Sequence, residues 1–315
     1  AFSRALARTW QGGDEVIVTR LDHDANVTPW VLAARDVGAK VHFVGIRAAD
    51  CTLDLDELRS KLSPRTRLVA VGVASNAVGT INPVADICRW VHAAGGQVFL
   101  DAVHFAPHGL LDVDGWDCDY LACSAYKFFG PHVGILWGRA ELLAGLEPYK
   151  VRPAAETLPD RWMTGTQNHE GIAGVGAAIE YLADLGRQMA PPEVARREAL
   201  RAAFDEIKAY ERCLCRQLVE GLAQLVSVRT WGITDPERFE ERVPTLSITH
   251  RKLTPAELAD YLASRGIFAW HGNFYALPLT EALGVEPEGL VRLGLLHYNT
   301  DEEIARLLSV LKELE

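Results

Sequence analysis

In the first half of the chain, short apolar runs alternate with stretches of helical periodicity, the pattern of a parallel sheet flanked by helices. Val16-Ile17-Val18-Thr19 predicts a strand, Pro29 to Val37 a helix, and Val41-His42-Phe43-Val44 the next strand. Asp54 to Leu62 reads as a helix with acidic residues at its start, where they meet the positive end of the helix dipole. Leu68 to Ala74 is a buried strand ending at Ser75-Asn76, and Pro83 to Ala94 is a helix that opens on proline and stops at Gly95-Gly96. Three further strands carry Asp101, Ser124 and the run Val133 to Trp137.

Beyond Gly138 the pattern loosens. Glu147 to Pro159 reads as a loop, Gly171 to Leu185 as a helix of small residues, and about Pro192 to Leu225 as a long charged helix. Strands are then expected at Ser227 to Trp231, Thr245 to Thr249, Ile267 to Trp270 and Val291 to Leu296, with helices at Pro255 to Arg265 and Asp301 to Glu315. The expected division is a large domain over 1–188 and a smaller α+β domain over 189–315, with the boundary near Leu185 to Pro192. Ala1 to Trp10 looks like the end of an amphipathic helix with no N-cap before it, so the large domain is expected to be N-terminally incomplete. Gly174-Val175-Gly176 resembles half of a dinucleotide fingerprint, but it lies inside a small-residue helix, where close packing accounts for it.

A chain of 315 residues with 49% apolar side chains can bury a large core. Its formal charge of −10 argues against nucleic acid or an anionic membrane as partner. Apolar runs are of strand length, short of the roughly twenty residues that span a bilayer, and a soluble cytoplasmic protein is expected. Six cysteines lack paired spacing and read as reduced; no metal site is expected, because Cys213 and Cys215 lie on a helix where i and i+2 diverge.

Candidate chemistry sits at strand ends, where α/β sheets place ligands. Asp101 closes the run Gln97 to Leu100, and Lys127 follows the run Tyr120 to Cys123 in Ser124-Ala125-Tyr126-Lys127. A carboxylate that keeps a pyridine nitrogen protonated and an amine that holds an aldehyde as a Schiff base are what pyridoxal phosphate chemistry requires. Ordered motifs extend along nearly the whole chain: Asp22-His23-Asp24-Ala25-Asn26, Ser75 to Pro83, Asp101-Ala102-Val103-His104, Ser124 to Pro131, Thr164-Gly165-Thr166-Gln167-Asn168, and Arg292 ahead of His297-Tyr298-Asn299-Thr300. Together they resemble the class V aminotransferases, pyridoxal phosphate enzymes that include the cysteine desulfurases, and within them the subgroup called cysteine desulfurase-like. The resemblance implies an α/β fold of fold-type I, with a mostly parallel central sheet and a smaller C-terminal α+β domain.

It also implies roles. Lys127 would carry pyridoxal 5'-phosphate and move the substrate Cα proton, and Asp101 would pair with the ring nitrogen. His23 would stack on the ring and exchange protons, Asn76 would donate its amide to the ring hydroxyl oxygen, and His104 would stand near that oxygen in place of the usual glutamine. Ser124 and Tyr126 would hold the phosphate. Thr166 would reach it across a subunit interface, which implies a homodimer with a shared site. Arg292 would clamp the carboxylate of a small amino-acid substrate through two parallel hydrogen bonds. In relatives that desulfurate cysteine, the nucleophilic cysteine falls where Trp270-His271-Gly272-Asn273-Phe274-Tyr275-Ala276 has Tyr275, and Trp270 replaces an arginine. A phenol cannot take up sulfur as a persulfide. Transamination, elimination or racemisation is therefore preferred; a true cysteine desulfurase or C–S lyase, and a non-catalytic dimeric scaffold or fragment, stand as alternatives.

Overall fold

The computed structural model describes residues 1–189, 191 and 193–315. In chain order the elements are α1 (Phe2–Ala7), β1 (Glu15–Thr19), α2 (Thr28–Val37), β2 (Lys40–Val44), β3 (Ile46–Arg47), β4 (Thr52–Leu53), α3 (Leu55–Lys61), β5 (Thr66–Gly72), α4 (Val84–Ala93), β6 (Gln97–Asp101), α5 (Val113–Trp116) and β7 (Tyr120–Ser124). They continue with β8 (Gly134–Gly138), α6 (Ala140–Gly145), α7 (His169–Arg187), α8 (Arg196–Leu222), β9 (Val228–Trp231), β10 (Thr245–His250), α9 (Pro255–Ala263), β11 (Trp270–Gly272), α10 (Leu277–Leu283), β12 (Leu290–Gly294) and α11 (Asp301–Lys312).

Six strands form the central sheet in the order β2-β1-β5-β6-β7-β8. Its neighbours run parallel except β7 with β8, so the fold is α/β with a mostly parallel sheet. Both faces are covered, and strand alternation sorts the core into two layers. Val16, Val18, Leu68 and Phe99 pack with Leu6 and Trp30 of α1 and α2. Ile17, Val69, Val98 and Leu121 pack on the other face with Ile87 and Val91 of α4. Four antiparallel strands in the order β11-β12-β10-β9 make a second, smaller sheet, whose apolar side chains meet α8, α9 and α11 through Leu218, Leu258 and Leu307.

Helix starts follow local chemistry. Asp54 accepts from the backbone N–H groups of Asp56 and Glu57 at the head of α3, and Thr254 and Thr300 build capping boxes before α9 and α11. The structure departs from the sequence reading in a few places. The strand expected at Ile267 to Trp270 lies instead at Trp270–Gly272, because pairing with β12 begins only there and Phe268 is 92% exposed. α10 is absent from the sequence reading; its proline, Pro278, falls in the first helical turn, where it is tolerated. The expected start of the charged helix and the end of the domain boundary fall on Pro192, which with Ala190 lies outside the described residues; α8 is observed from Arg196. Among the described residues, no helix is long and apolar enough to cross a membrane.

Candidate active site

The strand register sets the site. Gly72 ends β5 opposite Asp101 of β6, and Asp101 stands opposite Ala122 of β7. Three adjacent strands therefore end together, and a cavity of about 610 Å³ opens beyond them. Its wall brings together His23, Asn76, Asp101, His104, Ser124, Tyr126, Lys127 and Arg292, residues drawn from both sheets. Thr166 does not line it; it sits exposed in the turn before α7.

Asp101 is pulled into the wall, and loss of water raises its carboxyl above the usual aspartate range, against the opposing pull of the Val103 N–H and of Lys127. Its Oδ1 accepts from Val103 N–H at 2.9 Å, while among the described residues no protein group donates to Oδ2. Lys127 lies in the 3-10 turn Ala125–Phe128 that follows β7. Burial and then the charge of Arg292 lower its ammonium, so a free amine is easier to reach. His23 Nδ1 accepts from Ala25 N–H at 3.0 Å, which leaves the proton of the neutral ring on Nε2. Burial, followed by Lys127, lowers its imidazolium and favours that neutral form.

Asn76 ties the cavity wall to a distant loop. Its amide nitrogen donates to the Phe274 carbonyl at 2.8 Å, and the atom left without a partner among the described residues is the acceptor Oδ1. His104 Nε2 stands 2.9 Å from Thr245 Oγ1, and burial holds its imidazolium well below the usual histidine range. Behind it, His108 Nδ1 meets Glu211 Oε2 at 2.7 Å in a buried pair. Tyr126 is half exposed and stacks on His132 at 5.2 Å.

Arg292 on β12 donates to the Asn76 carbonyl at 2.9 Å and lies 4.3 Å from the Phe274 ring centroid. No carboxylate pairs with it among the described residues, a costly state for a largely buried cation and one that a substrate carboxylate would relieve. The loop beside it is unusual: Phe274 and Tyr275 are consecutive non-glycine residues at φ +54° and +58°. Such conformations cost on the order of 1 kcal/mol or more each and persist where the surroundings over-determine them. Here Asn76 holds the Phe274 carbonyl, Asp24 N–H donates to the Tyr275 carbonyl at 2.7 Å, and Tyr275 N–H donates to Asn273 Oδ1 at 3.0 Å. The Tyr275 ring stacks on His23 at 5.4 Å.

One residue of the site carried no role in the sequence reading. Asp22 is buried after β1, accepts from Thr19 Oγ1 and, at 3.2 Å, from Asn26 Nδ2, and desolvation raises its carboxyl to about 7. It also lines the cavity. Its signal lay across the sheet: Gly72 must lack a side chain, because a Cβ there would stand 2.6 Å from Asp22 Oδ1. No cysteine lines the cavity, and burial pushes the thiols of Cys51 and Cys123 up to about 11. Among the described residues, no group of three or more His, Cys, Asp or Glu is arranged to hold a metal ion.

The chain is similar to proteins of known kind along nearly its whole length. The family model described as Aminotransferase class-V matches residues 1–307. A cysteine desulfurase of Dickeya dadantii is 30% identical over 97% of this chain and 71% of its own length, and a probable cysteine desulfurase of Synechocystis is 32% identical over 96% and 70%. Among solved structures, the apo cysteine desulfurase of Thermococcus onnurineus superposes with a TM-score of 0.86 at 27% identity, over 99% of this chain and 75% of that one. A cysteine desulfurase of Escherichia coli gives 0.83 at 27% identity, over 99% and 76%. With these matches covering the sheet, the cavity and both ends of the fold, the chain belongs to the class V aminotransferase family.

Proposed function

We propose that this chain is a pyridoxal 5'-phosphate enzyme acting on a small amino acid, and that it releases a keto acid or a D-isomer without storing sulfur on a cysteine. The observation that carries this reading is the convergence on one cavity of Lys127, Asp101 and an Arg292 that has no carboxylate partner among the described residues, beside a loop that carries Tyr275 and no cysteine.

The residues suit the cofactor. Asp101 lines the cavity and its Oδ2 has no protein donor among the described residues, which matches a cationic ring nitrogen; Asn76 Oδ1, buried and without a partner among the described residues, matches a ring hydroxyl; Ser124 and Tyr126 offer hydroxyls for the phosphate. When bound, pyridoxal phosphate supplies an electron sink for negative charge at the substrate Cα. Lys127, with its proton affinity reduced, is the amine that would hold the aldehyde cofactor, and the same nitrogen would take up and return the substrate Cα proton. Arg292 fixes the substrate carboxylate, which orients the bond to be broken. His23 offers a flat neutral ring with its proton on Nε2. His104, kept neutral, hydrogen-bonds without adding charge to the site.

The reading includes a homodimer in which Thr166 serves the partner's site, a division into domains at 188/189, and a cytoplasmic location. Its test is a panel of amino acids scored for keto acid, sulfide and D-isomer, with parallel detection of protein-bound persulfide. Keto acid or D-isomer without persulfide is expected; sulfur bound to any cysteine would overturn it.

A further inference from the structure

The left-handed pair at 274–275 has a position that explains it. Phe274 is 9% exposed, its carbonyl is held by the Asn76 side chain, and the central carbon of the Arg292 guanidinium lies over its ring, 4.3 Å from the centroid. The Asn76 backbone carbonyl takes Arg292 Nη1 from the side. Three segments distant in sequence are thereby tied together: the end of β5, the loop after β11 and strand β12. A close backbone approach supports the loop, since a Cβ at Gly289 would collide with the backbone of Gly272.

We propose that Phe274 is the positioning residue of the carboxylate clamp: its ring and the Asn76 carbonyl hold the Arg292 guanidinium in one orientation, with its remaining N–H edge free for the substrate. An arginine side chain has many rotamers to lose when it binds a ligand. Immobilising it beforehand against a ring face and one carbonyl removes much of that cost from the binding step. An aromatic face does so without competing for the fork, because attraction between the cation and the ring uses no N–H donor. A carboxylate at position 274 would instead neutralise the clamp. The strained backbone follows: a left-handed Phe274 turns its ring beneath Arg292 while its carbonyl meets Asn76.

The inference rests on the reading of Arg292 as the substrate clamp, and its test separates the two. Phe274→Leu keeps an apolar side chain and loses the ring face; Phe274→Tyr keeps the face. In the holoenzyme, Phe274→Leu is expected to raise KM for the amino-acid substrate roughly 3- to 30-fold, with kcat changed by less than about twofold, and Phe274→Tyr is expected to restore KM. In the unliganded chain labelled with 15N-arginine, and assigned with Arg292→Lys, exchange of the Arg292 Nε proton should quicken at least about tenfold in Phe274→Leu and return in Phe274→Tyr. Should Phe274→Leu fail to fold, Phe274→Met, which fills irregular apolar space, takes its place. Unchanged Arg292 exchange in the ring-less variant, or equal losses of kcat in the Leu and Tyr variants, would overturn the proposal. Normal KM in Arg292→Lys, with exchange at Arg292 still governed by Phe274, would instead defeat the clamp reading and leave the positioning intact.

Discussion

Gly72→Ala is the substitution for which the structure sets a magnitude most directly. The added Cβ would lie 2.6 Å from Asp22 Oδ1, well inside the 3.4 Å at which ordinary contact begins. Asp22 cannot swing aside freely, because Thr19, Asn26 and the Gly72 amide all hold its carboxyl. Overpacking of this kind costs about 1–3 kcal/mol, and the rigid partner places Gly72→Ala toward the upper end. Asp22→Ala alone leaves those donors unpaired, at about 1–3 kcal/mol. Combining the two removes the collision, so the double variant should be about 2 kcal/mol more stable than the sum of the single losses. Urea unfolding of the four proteins measures this cycle. Because Gly72 is the register partner of Asp101, Gly72→Ala should also weaken pyridoxal phosphate binding in equilibrium dialysis. Additivity within about 0.5 kcal/mol would refute the argument that Asp22 dictates glycine at this strand end.

Other consequences are direct. Arg292→Lys keeps the charge and loses the planar fork, and should reduce kcat/KM for amino acids about 10- to 100-fold, mostly through KM; steady-state kinetics on the best substrate decides it. Asp22 has a pH signature: its folded-state carboxyl is raised to about 7, so the folded protein binds more protons than the unfolded chain between about pH 4 and 7. Its contribution to stability is thus fully present below the unfolded value and is lost as pH rises toward 7. Asp22→Asn, which cannot ionise, should gain stability relative to the parent between pH 4.5 and 7.5 in urea titrations, and a variant-minus-parent stability that stays flat or falls with rising pH would contradict the assignment.

The parallel half of the fold was legible because buried parallel strands are continuous apolar runs and their helices end on glycine or proline; Leu68 to Gly72 and Gln97 to Asp101 show both signals. Asp101 and Lys127 could be read because strand ends are where such sheets bind ligands. Less legible were features set by partners far away in the chain. β11 begins at Trp270 because β12 is there to pair with, and nothing near Ile267 announces it. Nothing near Asn76 in the sequence announces that its amide nitrogen also donates to a carbonyl 198 residues away, that of Phe274. Asp22 was visible only as part of a motif; the acid becomes informative once Gly72 is seen beside it. Likewise the pairing of His108 with Glu211 spans 103 residues and leaves no local trace in either segment.

Everything proposed for this site depends on the Lys127 amine carrying the cofactor opposite Asp101. Incubation of the chain with pyridoxal 5'-phosphate, reduction with borohydride, and peptide mapping by mass spectrometry tests it most directly. A visible absorbance that disappears on reduction and a pyridoxyl mass addition on the peptide containing Lys127 are expected, and neither in Lys127→Ala. Labelling confined to other lysines, or a chain that stays colourless and unmodified, would contradict it.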